Sequence, residues 1–95
     1  MIGLFDSGYG GLTVLEPLLR KLPQYDYIYL GDNARAPYGS RTVGTVEKYS
    51  EQAIEYLFAH GATLILIACN TVTATSLHHL QQKYLRDKNV SDKKI

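Results

Sequence analysis

One cysteine stands in the stretch Ala68-Cys69-Asn70-Thr71. The apolar run Leu64-Ile65-Leu66-Ile67-Ala68 leads into it and reads as a buried β-strand, and residues 71–85 read as a helix. Cys69 is therefore expected at a strand's carboxyl end beside a helix amino terminus. Unpaired N–H groups and the helix dipole there favour a thiolate over a thiol. Such a thiolate acts as a base, as a nucleophile or in neither role. The plainer reading is a small core hydrophobe. Against it stand the position at the edge and the polar pair Asn70-Thr71, which can donate to a carboxylate. With no second cysteine there is no Cys-x-x-C redox pair and no cysteine metal cluster. Residues 70–79 hold no arginine of the kind a phosphatase loop needs.

The turn Asp6-Ser7-Gly8-Tyr9-Gly10-Gly11 admits three readings. Glycines allow a tight turn with positive φ. Gly8 and Gly10 begin a dinucleotide fingerprint, with Asp32 as the ribose acid, but its third position is Thr13, and Asp6 would set a negative charge beside the pyrophosphate. In the third reading Asp6 orients an ammonium group or takes part in proton transfer, and Ser7 donates to a substrate carboxylate. The loop Asp32-Asn33-Ala34-Arg35-Ala36-Pro37-Tyr38-Gly39 is either a surface loop with a Pro-initiated turn or a ligand contact through the Tyr38-Gly39 backbone, with Arg35 adding positive potential. His78 and His79 fall well inside the last helix and receive no chemistry. Tyr25, Tyr27 and Tyr29 alternate as strand neighbours do, so packing accounts for them.

The elements that must position these residues follow from periodicity. Residues 1–5 read as a strand. Residues 12–22 read as a helix with Leu12, Leu15, Leu18 or Leu19, and Leu22 on one side. Pro17 predicts a kink or a late start, and Pro23 ends the segment. Residues 27–30 form the second strand. Thr42 caps a helix whose buried stripe is Val43, Val46, Ser50, Ala53 or Ile54, and Leu57, and Gly61 stands at its C′ position. The last helix is expected to bury Ala74, Leu77, Leu80 and Tyr84. The order β-α-β-α-β-α predicts an α/β fold, a parallel sheet flanked by helices with right-handed crossovers. All three strand-to-helix turns then open on one carboxyl edge, where such sheets bind ligands.

A three-stranded parallel sheet is small for a domain, because both faces need cover. Residues 1–85 are expected to form the α/β segment, and residues 86–95 a polar connector toward a missing next strand. The bulk numbers are those of an ordinary globular chain: 95 residues, 45% hydrophobic, 20% charged, net charge +1. No basic cluster marks a nucleic-acid surface, and no apolar run is long enough to cross a bilayer. The lone cysteine and the absence of a signal-peptide pattern at Met1 point to the cytoplasm.

Taken together, the segments resemble the glutamate racemase family of the cofactor-independent aspartate/glutamate racemase superfamily. The resemblance rests on Ile2-Gly3-Leu4-Phe5-Asp6-Ser7-Gly8 with Gly10-Gly11-Leu12-Thr13-Val14, on Tyr29-Leu30-Gly31-Asp32 with Arg35 and Pro37-Tyr38-Gly39, and on Ile67-Ala68-Cys69-Asn70-Thr71. It implies interconversion of L- and D-glutamate, the D form entering bacterial peptidoglycan, with no metal and no pyridoxal phosphate. By resemblance Cys69 is one catalytic base and Asp6 supports proton transfer. Asp6, Ser7, Tyr38, Gly39, Asn70 and Thr71 would hold the substrate.

The family also uses a second cysteine, followed by Thr-His, on a later segment, within a fold of two α/β domains. The 95 residues contain one cysteine, so the expectation is a fragment, an incomplete half of that fold that does not racemise glutamate unaided. Its implied partners are glutamate and the missing carboxyl-terminal part; a homodimer of the full-length protein stays open, as do a sister racemase of the aspartate or hydantoin type and a non-catalytic carboxylate-binding fragment.

Overall fold

The computed structural model describes residues 1–8, 11–86 and 93–95. Three strands, β1 (Ile2–Asp6), β2 (Tyr27–Gly31) and β3 (Leu64–Ile67), alternate with three helices, α1 (Leu12–Lys21), α2 (Val43–Ala59) and α3 (Asn70–Gln81). Both strand pairs are parallel and the order across the sheet is β2-β1-β3. The register places Asp6 opposite Gly31 and Phe5 opposite Ile67, so all three strands end at one level. The α/β class and the parallel sheet expected from periodicity are therefore present.

With β1 in the centre, the chain crosses once to each side. Right-handed crossovers then put α1 on one face and α2 on the other. Alternation along β2 agrees. The Tyr27 hydroxyl donates to the carbonyls of Leu18 and Leu22 at the end of α1, while Ile28 and Leu30 pack on the main core. That core lies between the sheet and the α2–α3 pair, and is built from Phe5, Ile54, Leu57, Ile65, Val72 and Leu80, all fully buried. Gly3 lets α2 approach: a Cβ there would meet the Ala62 Cβ at 3.1 Å and Leu57 Cδ1 at 3.4 Å.

Helix boundaries follow local chemistry. The Thr42 side chain accepts from the Thr45 amide at 3.2 Å and caps α2. Gly61 has φ of +99°, the left-handed conformation that ends a helix cheaply only at glycine. α1 starts at Leu12, with Pro17 inside it and no late start.

Four expectations about faces need correction. Leu12, Leu19 and Leu22 stay exposed and no residue of α1 is buried, because only the far side of the sheet carries a helix pair. Val43, at the first position of α2, is 52% exposed and lies outside the stripe, which starts at Val46. Tyr25 precedes β2 and is exposed, so it is not part of the strand alternation. In α3 the buried residues are Val72, Ser76 and Leu80, not Ala74 or Leu77. α3 is rotated so that Val72, Ser76 and Leu80 face inward and Thr73, Ala74 and Thr75 face out, and the chain then widens into a π-helical turn, Gln82–Arg86, that brings Tyr84 into the core.

The polar connector expected over 86–95 falls mostly outside the described residues. Lys94 makes an isolated parallel bridge with Leu64 on the outer edge of β3: its amide donates to the Thr63 carbonyl at 2.8 Å and its carbonyl accepts from the Ile65 amide at 2.9 Å. Among the described residues, no helix is long and apolar enough to cross a membrane.

Candidate active site

The site is built at the carboxyl ends of the strands. β1 delivers Asp6 and Ser7, β2 delivers Gly31 and Asp32, and β3 leads through Ala68 into Cys69. Pairing continues past the named strands. The Asp32 amide donates to the Asp6 carbonyl at 2.9 Å, and the Ala68 amide to the Phe5 carbonyl at 2.8 Å. These two bonds lock the three rims together at backbone level.

Cys69 is the N-cap of α3, with extended backbone, and is 6% exposed. Its carbonyl accepts from the Thr73 amide at 3.0 Å and from the Thr73 hydroxyl at 2.9 Å. Its sulfur lies 3.2 Å from the Ser7 Oγ. The thiol is thus set at the first turn of α3, where backbone N–H groups are unpaired.

Asp6 is 4% exposed, and its carboxylate accepts from the Gly11 amide at the start of α1. A buried carboxylate needs such donors to stay charged. Tyr9 and Gly10, the middle of that turn, lie outside the described residues. On its other side the turn is held by Tyr29, whose hydroxyl donates to the Gly8 carbonyl at 2.8 Å. Burial, with the Asp6 charge adding to it, raises the Tyr29 phenol above its ordinary value near 10 and keeps it a donor.

The 32–41 segment contains two short 3-10 turns, Asn33–Arg35 and Tyr38–Ser40. The Tyr38 side chain is buried, with ring centroids 6.2 Å from Phe5 and 5.7 Å from Tyr49. Its ring is therefore core, its carbonyl accepts from the Arg41 amide at 3.0 Å, and the open backbone of the turn begins at Gly39. Gly39 is exposed and faces α3: a Cβ on it would lie 3.6 Å from Thr71 Oγ1. Thr71 is half-buried and Asn70 exposed. The rim thus offers one thiol, one buried carboxylate, the Ser7 and Thr71 hydroxyls, the Asn70 amide and the open Gly39 backbone.

The supports of this rim are not visible in the sequence. Tyr29, whose spacing suggests only packing, holds Gly8. Asp32, which the sequence offers as a ribose ligand, has an Oδ2 that accepts from the Tyr38 hydroxyl at 2.5 Å and from Arg35 Nε at 2.7 Å. Arg35 supplies less free potential than expected, being paired with Asp32 and Gln52 and laid 3.8 Å over the Tyr49 ring. His79, given no role, pairs with Glu51 at 3.2 Å on the far surface between α2 and α3. The available signal for Tyr29 was the glycines around it: Gly11 and Gly31 leave the room its ring fills.

Fold and rim together define a class: an α/β segment with a thiol, a buried carboxylate and hydroxyl groups gathered on the carboxyl edge of a parallel sheet. No family model matches the chain. It is nonetheless similar over nearly all its length to glutamate racemases, as the motifs implied. It is 46% identical over 83 residues to the glutamate racemase of Clostridium novyi, covering 87% of this chain and 32% of that protein. With the Caulobacter sp. glutamate racemase it shares 50% over 84 residues, covering 88% and 30%. The crystal structure of the Francisella tularensis glutamate racemase in complex with D-glutamate matches with a TM-score of 0.85 at 38% identity, over 99% of this chain and 34% of that one. The Aquifex pyrophilus glutamate racemase matches with a TM-score of 0.84 at 39% identity, over 99% and 35%. The chain spans about a third of the length of the curated relatives it matches.

Proposed function

We propose that this chain is the amino-terminal α/β segment, residues 1–85, of a cofactor-independent glutamate racemase, and that it carries one of the two acid/base groups and one wall of the substrate site. The observation that supports this most is the Cys69 sulfur 3.2 Å from Ser7, at a helix amino terminus and on the rim that also holds Asp6.

Racemisation removes the α-proton from one face of a carbon and returns a proton to the other. Two acid/base groups must flank that carbon. Cys69 supplies one, as thiolate toward one enantiomer and as thiol toward the other. The 95 residues contain a single cysteine, so the opposing group comes from elsewhere in the racemase. Ser7, Asn70, Thr71 and the Gly39 backbone grip the substrate carboxylate. Fixed donors there stabilise the charge that develops as the α-proton leaves. Asp6, buried and bonded to Gly11, faces the substrate ammonium and supports proton transfer. No step calls on a metal or on pyridoxal phosphate. The reading extends to a cytoplasmic enzyme that supplies D-glutamate for peptidoglycan.

The test is NMR of the chain with L- and D-glutamate in deuterium oxide and in water. Amide shifts centred on Ser7, Gly39, Asn70 and Thr71 are expected, with no exchange of the glutamate α-hydrogen by the chain alone. Shifts elsewhere, or none, would remove the substrate-wall assignment. Exchange would show that one acid/base group suffices.

A further inference from the structure

We propose that Asp32 is a positioning residue of this rim: its carboxylate sets the depth and rotation of Tyr38 and thereby holds the Gly39 backbone against Thr71. The ligand's identity rests on the racemase reading above; the positioning geometry does not.

The linkage starts from the sheet. The Asp32 amide is bonded to the Asp6 carbonyl, so the residue is referenced to the strand end that carries Ser7. One oxygen of its side chain, Oδ2, accepts both the Tyr38 hydroxyl at 2.5 Å and Arg35 Nε at 2.7 Å. Arg35 is fixed in turn: Nη1 donates to the Gln52 Oε1 of α2 at 2.7 Å, and the guanidinium carbon stands 3.8 Å from the Tyr49 ring centroid. Tyr49 packs on the Tyr38 ring. Asp32 thus sits where the sheet, α2 and the 38–40 turn meet.

Apolar ring packing is non-directional and does not by itself fix where the phenol oxygen points. The charge-assisted bond at the far end of the phenol supplies that direction. Burial, strengthened by the bond to Asp32, pushes the Tyr38 phenol far above its ordinary value near 10, so the hydroxyl stays a donor wherever the protein is folded. Beyond Tyr38 the turn closes through the Arg41 amide on the Tyr38 carbonyl at 3.0 Å, and Gly39 falls beside Thr71. A misplacement of this backbone by about 1 Å is enough to cost a binding site much of its function.

The experiment compares Asp32→Ala, Tyr38→Phe, their double variant, Asp32→Asn and the core control Ile54→Val. Three quantities are read: L-glutamate affinity by amide-shift titration, the thermal midpoint, and hydrogen exchange at the Arg41 amide. Asp32→Ala and Tyr38→Phe should each weaken glutamate binding about tenfold, the scale of one charge-assisted hydrogen bond. The double variant should lose no more than the worse single, because both remove one interaction. Asp32→Asn, which keeps an acceptor for Tyr38, should recover most of the affinity. Ile54→Val should lower the midpoint and leave affinity alone, which separates positioning from loss of fold. Additive losses, unchanged affinity in Asp32→Ala, or an equal loss in Ile54→Val would each overturn the proposal. If the wild-type chain binds no glutamate, the racemase reading fails; the positioning claim is then decided by exchange alone. It stands if Arg41 exchange rises about tenfold or more in Asp32→Ala and Tyr38→Phe relative to α2 amides, and falls if it does not.

Discussion

The Cys69 sulfur and the Ser7 hydroxyl oxygen lie 3.2 Å apart, although 62 positions separate them along the chain. The parallel pairing of β1 with β3 brings them together, since Phe5 and Ile67 are register partners and each strand runs on two residues to its reactive side chain. The pair makes a direct expectation about sulfur chemistry.

Once Cys69 is deprotonated, the Ser7 hydroxyl can turn and donate to it. Ser7→Ala removes that donor. Alkylation of Cys69 by iodoacetamide should then slow several-fold, on the scale of about 1 kcal/mol for one hydrogen bond. Mass spectrometry reads this without ambiguity, because the chain has one cysteine. Equal or faster alkylation would mean that Ser7 only shields the sulfur.

In a full-length racemase carrying these residues, Cys69→Ser should lower interconversion by at least about 10²-fold, the low end of what a positioned acid/base group contributes. Circular dichroism of the glutamate signal follows the reaction, and the melting curve should stay close to wild type because the two side chains are of similar size. Undiminished turnover would take Cys69 out of the mechanism.

Gly31 sits where the Ser7-Gly8 turn passes over the end of β2. A Cβ there would stand 2.8 Å from the Gly8 carbonyl oxygen and 3.2 Å from the Tyr29 hydroxyl. Gly31→Ala should therefore push the turn off the sheet and break the Tyr29–Gly8 bond. The expected cost is about 1–3 kcal/mol in urea unfolding. The Ser7 and Gly8 amide signals should shift more than those of α2 and α3. A neutral variant with unmoved Ser7 would show that the turn has slack.

Away from the rim, Lys83 donates to Glu51 at 3.0 Å, and His79 adds a second partner. Chiefly the Lys83 bond lowers the Glu51 carboxyl below its ordinary value of 4.5, against an opposing effect of partial burial. The unfolded chain then binds the proton more readily than the folded one in that range. The contribution is complete above pH 4.5 and is lost as pH falls through the folded value. Glu51→Gln should cost no more than about 1 kcal/mol at pH 7, because Glu51 and Lys83 are 23% and 42% exposed. The difference from wild type should vanish at acid pH; urea midpoints between about pH 3 and 7 check it. A gap that persists at low pH would point to packing, not charge.

Sequence periodicity alone established the order of strands and helices, the parallel α/β class, and the meeting of Ser7, Asp32 and Cys69 on one edge. It did so because alternating and helical apolar spacing are local properties, and crossover handedness turns them into a topology. Thr42 and Gly61 were equally legible, since capping and positive φ depend on one residue's own chemistry. What surrounds the rim was not legible. Whether α3 buries Ala74 or Val72 depends on how far the helix is rotated against α2, and its many small residues leave several rotations nearly equal in apolar area. Only the assembled structure could pair Asp32 with Tyr38, or Tyr29 with Gly8: the first bond closes the 32–41 segment over the packed rings and the second ties β2 to the turn after β1, so both depend on strand register and on what packs beneath them. Hydrophobic pattern is carried by residue types in order, whereas a hydrogen bond between distant side chains exists only once the backbone has placed both ends within about 3 Å.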